Sequence, residues 1–336
     1  MSDIPEETLK YTKKIDTLEL QVCPELKKKK YLKGLADTLQ NIRNKIFDIY
    51  GVPLPPIKIT CCDSVFSNPE VQIKILITGC CVKEIKRKEK DFNIPEIIYN
   101  CVKHNLSQCI TSSTIEKIYE EVQKDNQMLI TNLRSFTDSF AAVEFVLREL
   151  VSQLIPINNI VQILETILDC YARYRIDDSS YWHLIHKTRM NLAPFFVTTL
   201  LNAKREFFYF DISEEIKNYL ELQSSEDFKK EFLTSLRDEI EKILKENPEI
   251  VFVLNMTEVE RNKYCHILHP YFPDLVIITR EELENADYYS PFTKKLIKTI
   301  DIPTPKKEKP KENTEEKKKT PWIKKIFKKN KNRNTG

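Results

Sequence analysis

The spacing of apolar residues predicts a strand, a long helix and further strands in the N-terminal part of the chain. The segments "IDTLELQV" at 15–22 and "VQIKILIT" at 71–78 alternate apolar and polar residues, as half-buried strands do. Between them, apolar residues recur every three or four positions and predict a helix at 29–49. Its apolar face consists of Leu32, Leu35, Leu39, Ile42, Ile46 and Ile49. The charged run "KEIKRKEKD" at 83–91 is interpreted as a solvated loop.

The helix is followed by a proline-rich stretch, "YGVPLPPIKIT" at 50–60. Gly51 stands where the chain must leave the helix, and glycine adopts positive φ at little cost. The prolines have fixed φ and lack an N–H, so residues 52–56 should be extended. Leu54 between them is expected to pack against the protein. The stretch is therefore a rigid elbow that joins the helix to a strand starting at Ile57.

The middle section, 94–204, is predicted to be helical. Two of its helices, at 140–155 and 158–171, carry many apolar residues and need cover on more than one side. They therefore belong to a compact helical domain or to a subunit contact. The sequence Ser113–Thr114–Ile115–Glu116 has the form of a capping box and predicts the start of another helix.

The last ordered section is predicted to alternate strands and helices. Short apolar strands are expected at 205–211, 250–255 and 275–279, with helices after Ser213, at 225–246, at 257–268 and from Arg280. Such alternation is typical of a small α/β layer.

These patterns predict an α+β protein with several subdomains. The predicted organisation is a leader at 1–13, a small α/β subdomain at 14–93, a central helical subdomain at 94–204, a small α/β subdomain at 205–302 and a disordered basic tail at 303–336.

Composition excludes several classes of function. The chain has only 4 glycines in 336 residues, and they are not clustered. Phosphate-binding loops, dinucleotide fingerprints and nucleophile elbows need clustered glycines, so none of these sites is expected. The net charge is +3, but residues 303–336 carry 13 Lys and Arg and 4 Glu, so the rest of the chain has a net charge of −6. We therefore expect no nucleic-acid partner, because a basic face is missing from the body.

The nine cysteines contain no C-x-x-C and are interpreted as reduced, largely buried thiols. No catalytic group or cofactor is expected. A metal-binding enzyme remains as an alternative. Its ligands would be Cys61, Cys62, Cys80 and Cys81, or the pairs His183/His186 and His266/His269.

The tail contains one amphipathic stretch, "PWIKKIFKK" at 321–329. Trp322, Ile323, Ile326 and Phe327 would share one helical face, with lysines opposite. This pattern is typical of a contact with anionic lipid or of a short docking helix. The alternative is a stretch that stays unstructured.

Three separate segments, in the correct order, resemble one known family. They are "GVPLPPIKI" in the elbow, "LRELVSQLIPINNIVQILETILDCYARY" at 147–174, and "FFYFDISEEIKNYL" followed by "EIVFVLNMTEVERNKYCHILHPYFPDLVIITREEL" near the end. Together they resemble the cytoplasmic domain of the export-gate family of flagellar and virulence type III secretion systems (FlhA/SctV, FHIPEP). The matching positions are Gly51, Leu54, Pro55, Pro56, Pro156, Ile157, Ile163, Leu164 and Glu165.

The resemblance implies a non-enzymatic, cytoplasmic docking platform of a protein-export apparatus. Family members form rings and receive export substrates, chaperones and the ATPase stalk. The basic tail would add a peripheral contact with the inner membrane. The alternative is a soluble adaptor that reuses the fold.

Three departures from the family pattern stand out. The membrane half is not expected in this chain. The subdomain that the family inserts after its "YxIxI" strand is reduced here to about 79–93. Asn158–Asn159 replaces the family's Arg–Asp, so the resemblance supports a ring of identical copies less strongly than it supports the fold.

Overall fold

The computed structural model describes most of the chain between Leu18 and Pro303. The described residues are 18–24, 34–61, 68, 70–86, 93–174, 181–222, 230–246, 253–256, 261, 265, 268–270 and 272–303. The chain divides into two units, Met1–Ile302 and Pro303–Gly336. The predictions for the leader and for the tail segment 321–329 lie outside the described residues.

The N-terminal section is a four-stranded sheet with one helix. Its elements are β1 (Leu18–Val22), α1 (Leu35–Tyr50), β2 (Lys58–Cys61), β3 (Val71–Ile77) and β4 (Cys80–Lys86). The strand order is β2-β1-β3-β4. Strand β1 is parallel to β2 and antiparallel to β3, and β3 and β4 form a hairpin. The alternation in β3 follows the prediction, since every second residue from Val71 to Ile77 is buried.

The apolar face of α1 differs from the prediction at its last turn. Leu35, Leu39, Ile42 and Ile46 are buried, but Tyr50 continues the face and Ile49 is 42% exposed. Tyr50 lies four residues after Ile46, whereas Ile49 lies three residues after it. On a helix of 3.6 residues per turn, the fourth residue is rotated less from the direction of Ile46 than the third, so the Tyr50 ring packs inward.

The middle section consists of helices packed on one another. They are α2 (Ile94–Lys103), α3 (Leu106–Cys109), α4 (Ser112–Asp125), α5 (Gln127–Arg134), α6 (Ser139–Ser152), α7 (Ile160–Arg173) and α8 (Tyr181–Phe196), followed by a 3₁₀ turn at Thr198–Leu200. The predicted capping box at the start of α4 is shifted. Thr111 is the N-cap and exchanges hydrogen bonds with Thr114 at N3, because its hydroxyl can reach the free N–H groups of the first turn.

The C-terminal section is a parallel sheet with helices. It contains β5 (Glu206–Ile212), α9 (Glu214–Leu222), α10 (Lys230–Glu246), β6 (Val253–Met256), β7 (Val276–Thr279), α11 (Arg280–Tyr289) and β8 (Thr293–Ile300). The strand order is β7-β6-β5-β8, and each neighbouring pair is parallel.

The core forms two apolar clusters, one on each side of the C-terminal sheet. The larger cluster joins the N-terminal strands, the helices and one face of this sheet, including Phe207, Val276 and Ile278. The smaller cluster lies on the opposite face and contains Phe210 and Ile277 together with residues of α9 and α10. The helical section and the C-terminal sheet therefore share a continuous core.

Two strands contradict the sequence interpretation. Residues 83–86 of the predicted loop belong to β4, and β8 was not predicted at all. Both strands are at the edge of a sheet and are largely exposed, so their polar sequences do not show the usual apolar alternation. The predicted α+β fold class is confirmed, whereas the subdomain boundaries stay a prediction.

Candidate functional site

The elbow after α1 is fixed by hydrogen bonds to the helix that precedes it. Gly51 has φ +73° and donates its N–H to the Phe47 carbonyl at 2.8 Å. Nε and Nη2 of Arg43 both donate to the Leu54 carbonyl, at 3.1 and 2.8 Å. The Leu54 side chain is buried, as expected from the sequence. The elbow is thus held against α1 by its backbone and anchored by its leucine.

The second segment of the family pattern packs directly against this elbow. Ile157 donates its backbone N–H to the Tyr50 carbonyl at 2.9 Å. The side-chain amide of Asn158 donates to the Asp48 carbonyl at 3.1 Å. A Cβ on Gly51 would lie only 2.6 Å from the Asn158 backbone nitrogen. Two segments more than a hundred residues apart therefore form one contact, which has no room for a side chain at position 51.

The remaining positions of the family pattern support this contact. Ile157, Ile163 and Leu164 are buried in the main core. Pro55 and Pro156 are half-buried, whereas Pro56 and Glu165 are exposed. These residues therefore position the elbow or stay on the surface, and the structure gives them no chemical role.

A groove of about 540 Å³ opens beside the elbow contact. Its walls come from the end of α1, the elbow, α4 and the start of α7. The lining residues are Phe47, Gly51, Pro53, Lys117, Ile118, Glu121, Val122, Ile157, Asn158 and Ile160. The Phe47 side chain is 53% exposed, which is unusual for an aromatic ring. Apolar walls with one lysine and one glutamate on α4 suit the docking of a protein surface.

A buried ionic cluster joins the helical section to the C-terminal section. The Glu282 carboxylate accepts from Nε and Nη2 of Arg189 at 2.6 and 2.9 Å, and from Nη1 of Arg261 at 2.7 Å. All three side chains are fully buried. Arg189 also donates to Gln153 Oε1 at 2.7 Å and to the Ile277 carbonyl at 2.9 Å. We call Arg189, Arg261 and Glu282 the buried triad.

The charges within the buried triad determine the protonation state of its carboxylate. Burial alone would raise the pKa of Glu282, but Arg189 and Arg261 lower that pKa below its ordinary value. Glu282 also completes a capping box with Thr279 at the start of α11. The glutamate is therefore ionised at neutral pH and acts as a structural link. Sequence reasoning missed the triad, although the "TREE" run at 279–282 carries a capping-box pattern.

A comparison of the sequence with models of known protein families shows which family the chain belongs to. A model of the FHIPEP family matches residues 89–287, more than half of the chain. The chain belongs to the FHIPEP family. The match includes α2–α8 and most of the C-terminal section, and it confirms the resemblance seen in the sequence. No curated protein matches this FHIPEP chain at a significant level.

Solved structures share the fold of this FHIPEP chain at low sequence identity. Shigella flexneri MxiA is 15% identical with a TM-score of 0.64, over 85% of this chain and 99% of that one. Nonameric EPEC SctV-C is 14% identical with a TM-score of 0.62, over 85% and 98% of the two chains. Chlamydia pneumoniae CdsV in its complex with CdsO is 13% identical with a TM-score of 0.63, over 86% and 99%. These likenesses establish the fold.

The cysteine hypothesis for a metal site does not fit the sheet. Cys61 is on β2 and Cys80 and Cys81 are on β4, at opposite edges of the sheet. Three strand spacings separate these edges, about 14 Å, whereas zinc needs sulfur ligands at about 2.3 Å. Cys62 lies outside the described residues. In this FHIPEP chain, Cys61 therefore cannot bind the same metal ion as Cys80 or Cys81.

The histidine pairs do not form metal sites within the described part of the chain. His183 packs its ring against Tyr174, with centroids 5.8 Å apart. Nε2 of His269 lies 3.0 Å from the Leu275 carbonyl, and His266 is outside the described residues. In that part, no three His, Cys, Asp or Glu side chains could hold a metal ion.

Two further findings concern thiol chemistry and membrane spanning. Burial raises the pKa of the Cys109 thiol to about 12, and burial, the largest influence on Cys265, raises its pKa to about 11. Both thiols are therefore protonated and poorly nucleophilic at neutral pH. None of the described helices of this FHIPEP chain has the length and apolar character needed to cross a bilayer.

Proposed function

We propose that this chain is a non-enzymatic docking platform on the cytoplasmic side of a type III protein-export apparatus. The observation that carries the proposal is the FHIPEP match over residues 89–287. The site next to the family pattern is an apolar groove beside a fixed elbow, which suits recognition of another protein. Such a platform works through shape and binding energy, and its buried cysteines contribute packing.

The groove beside the elbow is proposed as the seat of a neighbouring copy of the chain. EPEC SctV-C, which shares the fold, is nonameric, and this supports a ring of copies here. The Phe47 ring is half exposed at the groove, so it can insert into the surface of the neighbouring copy. Aromatic residues in partly closed apolar grooves contribute strongly to protein interfaces. Lys117 and Glu121 would pair with opposite charges on the neighbouring copy and so fix the position in which it docks.

Other export components are proposed as further partners. Chlamydia pneumoniae CdsV forms a complex with CdsO, and this supports binding of an export-apparatus protein by this chain. Export substrates, chaperones and the ATPase stalk are the candidates. Because residues 79–93 are too few for the several strands of the subdomain that the family inserts there, we expect substrates or the stalk, rather than chaperones, to be the main partners.

The proposed location is the cytoplasmic face of the inner membrane. Residues 303–336 have a net charge of +9 and contain Trp322, Ile323, Ile326 and Phe327. Basic segments with apolar anchors bind anionic lipid surfaces. The tail would therefore add a peripheral membrane contact to the platform.

Native mass spectrometry tests the proposed ring. The wild-type chain is expected to give oligomers of several copies. Phe47→Asp should shift the population to monomer, because a charge at the groove would lose its water when the neighbour docks. Phe195→Asp is the matched control, since Phe195 is a similarly exposed phenylalanine, at 50%, on α8.

Two results would overturn the ring proposal. One is a wild-type chain that stays monomeric over the whole accessible concentration range. The other is an oligomer that Phe195→Asp dissociates and Phe47→Asp leaves intact. Circular dichroism of both variants should match the wild type, because both side chains are half exposed and neither substitution removes core packing.

A further inference from the structure

A second ionic contact joins the helical section to the C-terminal section, at the other end of β7. Asp274 lies in the loop before β7, and its Oδ1 is 2.5 Å from Lys103 Nζ and 2.9 Å from His104 Nε2. Lys103 is the last residue of α2, and His104 follows it. We call Lys103, His104 and Asp274 the outer clasp. One carboxylate thus bridges a lysine and a histidine across the junction.

The outer clasp differs from the buried triad in its exposure to water. The Asp274 side chain is 65% exposed, whereas Lys103 and His104 are 18% and 24% exposed. The triad is completely buried. Water and salt therefore reach the clasp and weaken it, whereas the triad is shielded from both.

The surroundings of the outer clasp contribute few other charges within the described part of the chain. Tyr50 and Tyr99 face it from α1 and α2. Burial, the largest influence, raises the pKa of both phenols, so they stay neutral. Lys45 of α1 lies over the Tyr99 ring, 4.2 Å from its centroid. The strength of the clasp is therefore set mainly by Asp274 and its two partners.

Strand β7 lies between these two contacts. Asp274 precedes the strand, and Glu282 follows it in the first turn of α11. Arg189 of the triad also binds the Ile277 carbonyl within the strand. The segment is thus held to the helices at both ends, by an exposed contact at one end and a buried contact at the other.

We propose that the outer clasp controls local opening between the C-terminal section and α2, while the buried triad stays closed and serves as the fixed point. When the clasp breaks, residues 272–275, which precede β7, separate from the end of α2. When it forms, the C-terminal sheet is held against the helices along the whole of β7. Such local opening is a low-energy event compared with unfolding of the chain.

The charge of Asp274 indicates what can break the clasp. Its hydrogen bond to His104, and then the contact with Lys103, hold the pKa of Asp274 well below its ordinary value. A carboxyl group with a lowered pKa contributes its stability above its unfolded pKa and loses it only when the pH falls through the lower folded value. Asp274 is therefore ionised at neutral pH, and salt or a charged partner can weaken its exposed contacts.

Hydrogen–deuterium exchange of the full chain tests the proposal. Asp274→Asn should speed exchange at 272–275 and at the end of α2 by about two- to fivefold, the effect of losing a modest, partly exposed ion pair. Exchange at 280–286, beside the buried triad, should not change. About 1 M salt should produce a local increase in the wild type and little further increase in the variant, since the exposed Asp274 carboxylate is accessible to competing ions.

Asp287→Asn is the matched control. Asp287 pairs with Lys294 at 2.9 Å within the C-terminal section, so its loss should leave exchange at 272–275 unchanged. The proposal is wrong if Asp274→Asn exchanges like the wild type, or if Asp287→Asn speeds exchange at 272–275 equally. It is also wrong if the increase extends to 280–286, because the triad would then have opened too.

Discussion

At the scale of single residues, Gly51 is a position where the fold accepts no side chain. It combines a left-handed φ of +73° with backbone atoms of Asn158 and Ile157 within 2.9 Å of where a Cβ would be. The first feature is a property of the turn, and the second comes from the contact with the other segment of the family pattern. Both act on the same atom, so their costs add.

We expect Gly51→Ala to lower the free energy of unfolding by about 2–4 kcal/mol, because left-handed strain and a backbone clash occur together. Urea unfolding followed by circular dichroism measures this change. Gly34→Ala is the control, since a Cβ there meets nothing within 4 Å and φ is −93°. It should change stability by no more than about 1 kcal/mol. Equal effects of the two substitutions would contradict the described elbow contact.

The sequence predicted individual residues well where a local rule applied. The positive φ of Gly51 and the burial of Leu54 follow from helix termination and from an apolar residue among prolines. The contact between Gly51 and Asn158 could not be predicted, because no local rule relates positions so far apart. Phe47, Lys117 and Ile160 were missed as groove residues for the same reason, since they come from three different helices.

At the scale of elements, the buried triad fixes α11 and β7 to α8. Glu282→Gln should lower the free energy of unfolding by about 3–5 kcal/mol, because two buried arginines would then face a neutral amide. The pH profile gives a second measurement. Because the folded pKa of Glu282 is lowered, its contribution is present above the unfolded value of about 4.3 and is lost as the pH falls through the folded value.

Glu281→Gln is the control for this substitution. Glu281 precedes Glu282 in the same helical turn but is exposed, so its loss should change stability by less than about 1 kcal/mol. Unfolding curves should therefore separate the two variants at neutral pH and bring them closer together at acidic pH, where Glu282 loses its charge. Equal stabilities at neutral pH would show that Glu282 is not paired in the buried triad.

Elements could be predicted wherever one face is buried. Helix α1 and strand β3 show a clear period because the core selects apolar residues on one side. Strands β4 and β8 could not be predicted, since both are largely exposed to water and their residues need not alternate. Lysines at such an edge discourage pairing with other chains, and three of the eight residues of β8 are lysines.

At the scale of the whole molecule, the basic tail is predicted to associate the chain with membranes. Flotation with vesicles rich in anionic lipid should recover the full chain, whereas a variant lacking 303–336 should stay in solution. Neutral vesicles are the control and should recover little of either protein, because the attraction depends on negative lipid charge. Equal recovery of both proteins with anionic vesicles would discard the membrane contact.

The central claim also concerns the whole molecule: the groove beside the elbow binds a second copy of the chain. Site-specific photocross-linking tests it directly, with a photoreactive phenylalanine analogue at position 47 and, as a control, at position 195. Mass spectrometry of the cross-linked product should identify a second copy of this chain joined at position 47, and no such product from position 195. If position 47 gives no link between copies while position 195 does, the groove is not the seat of a neighbour.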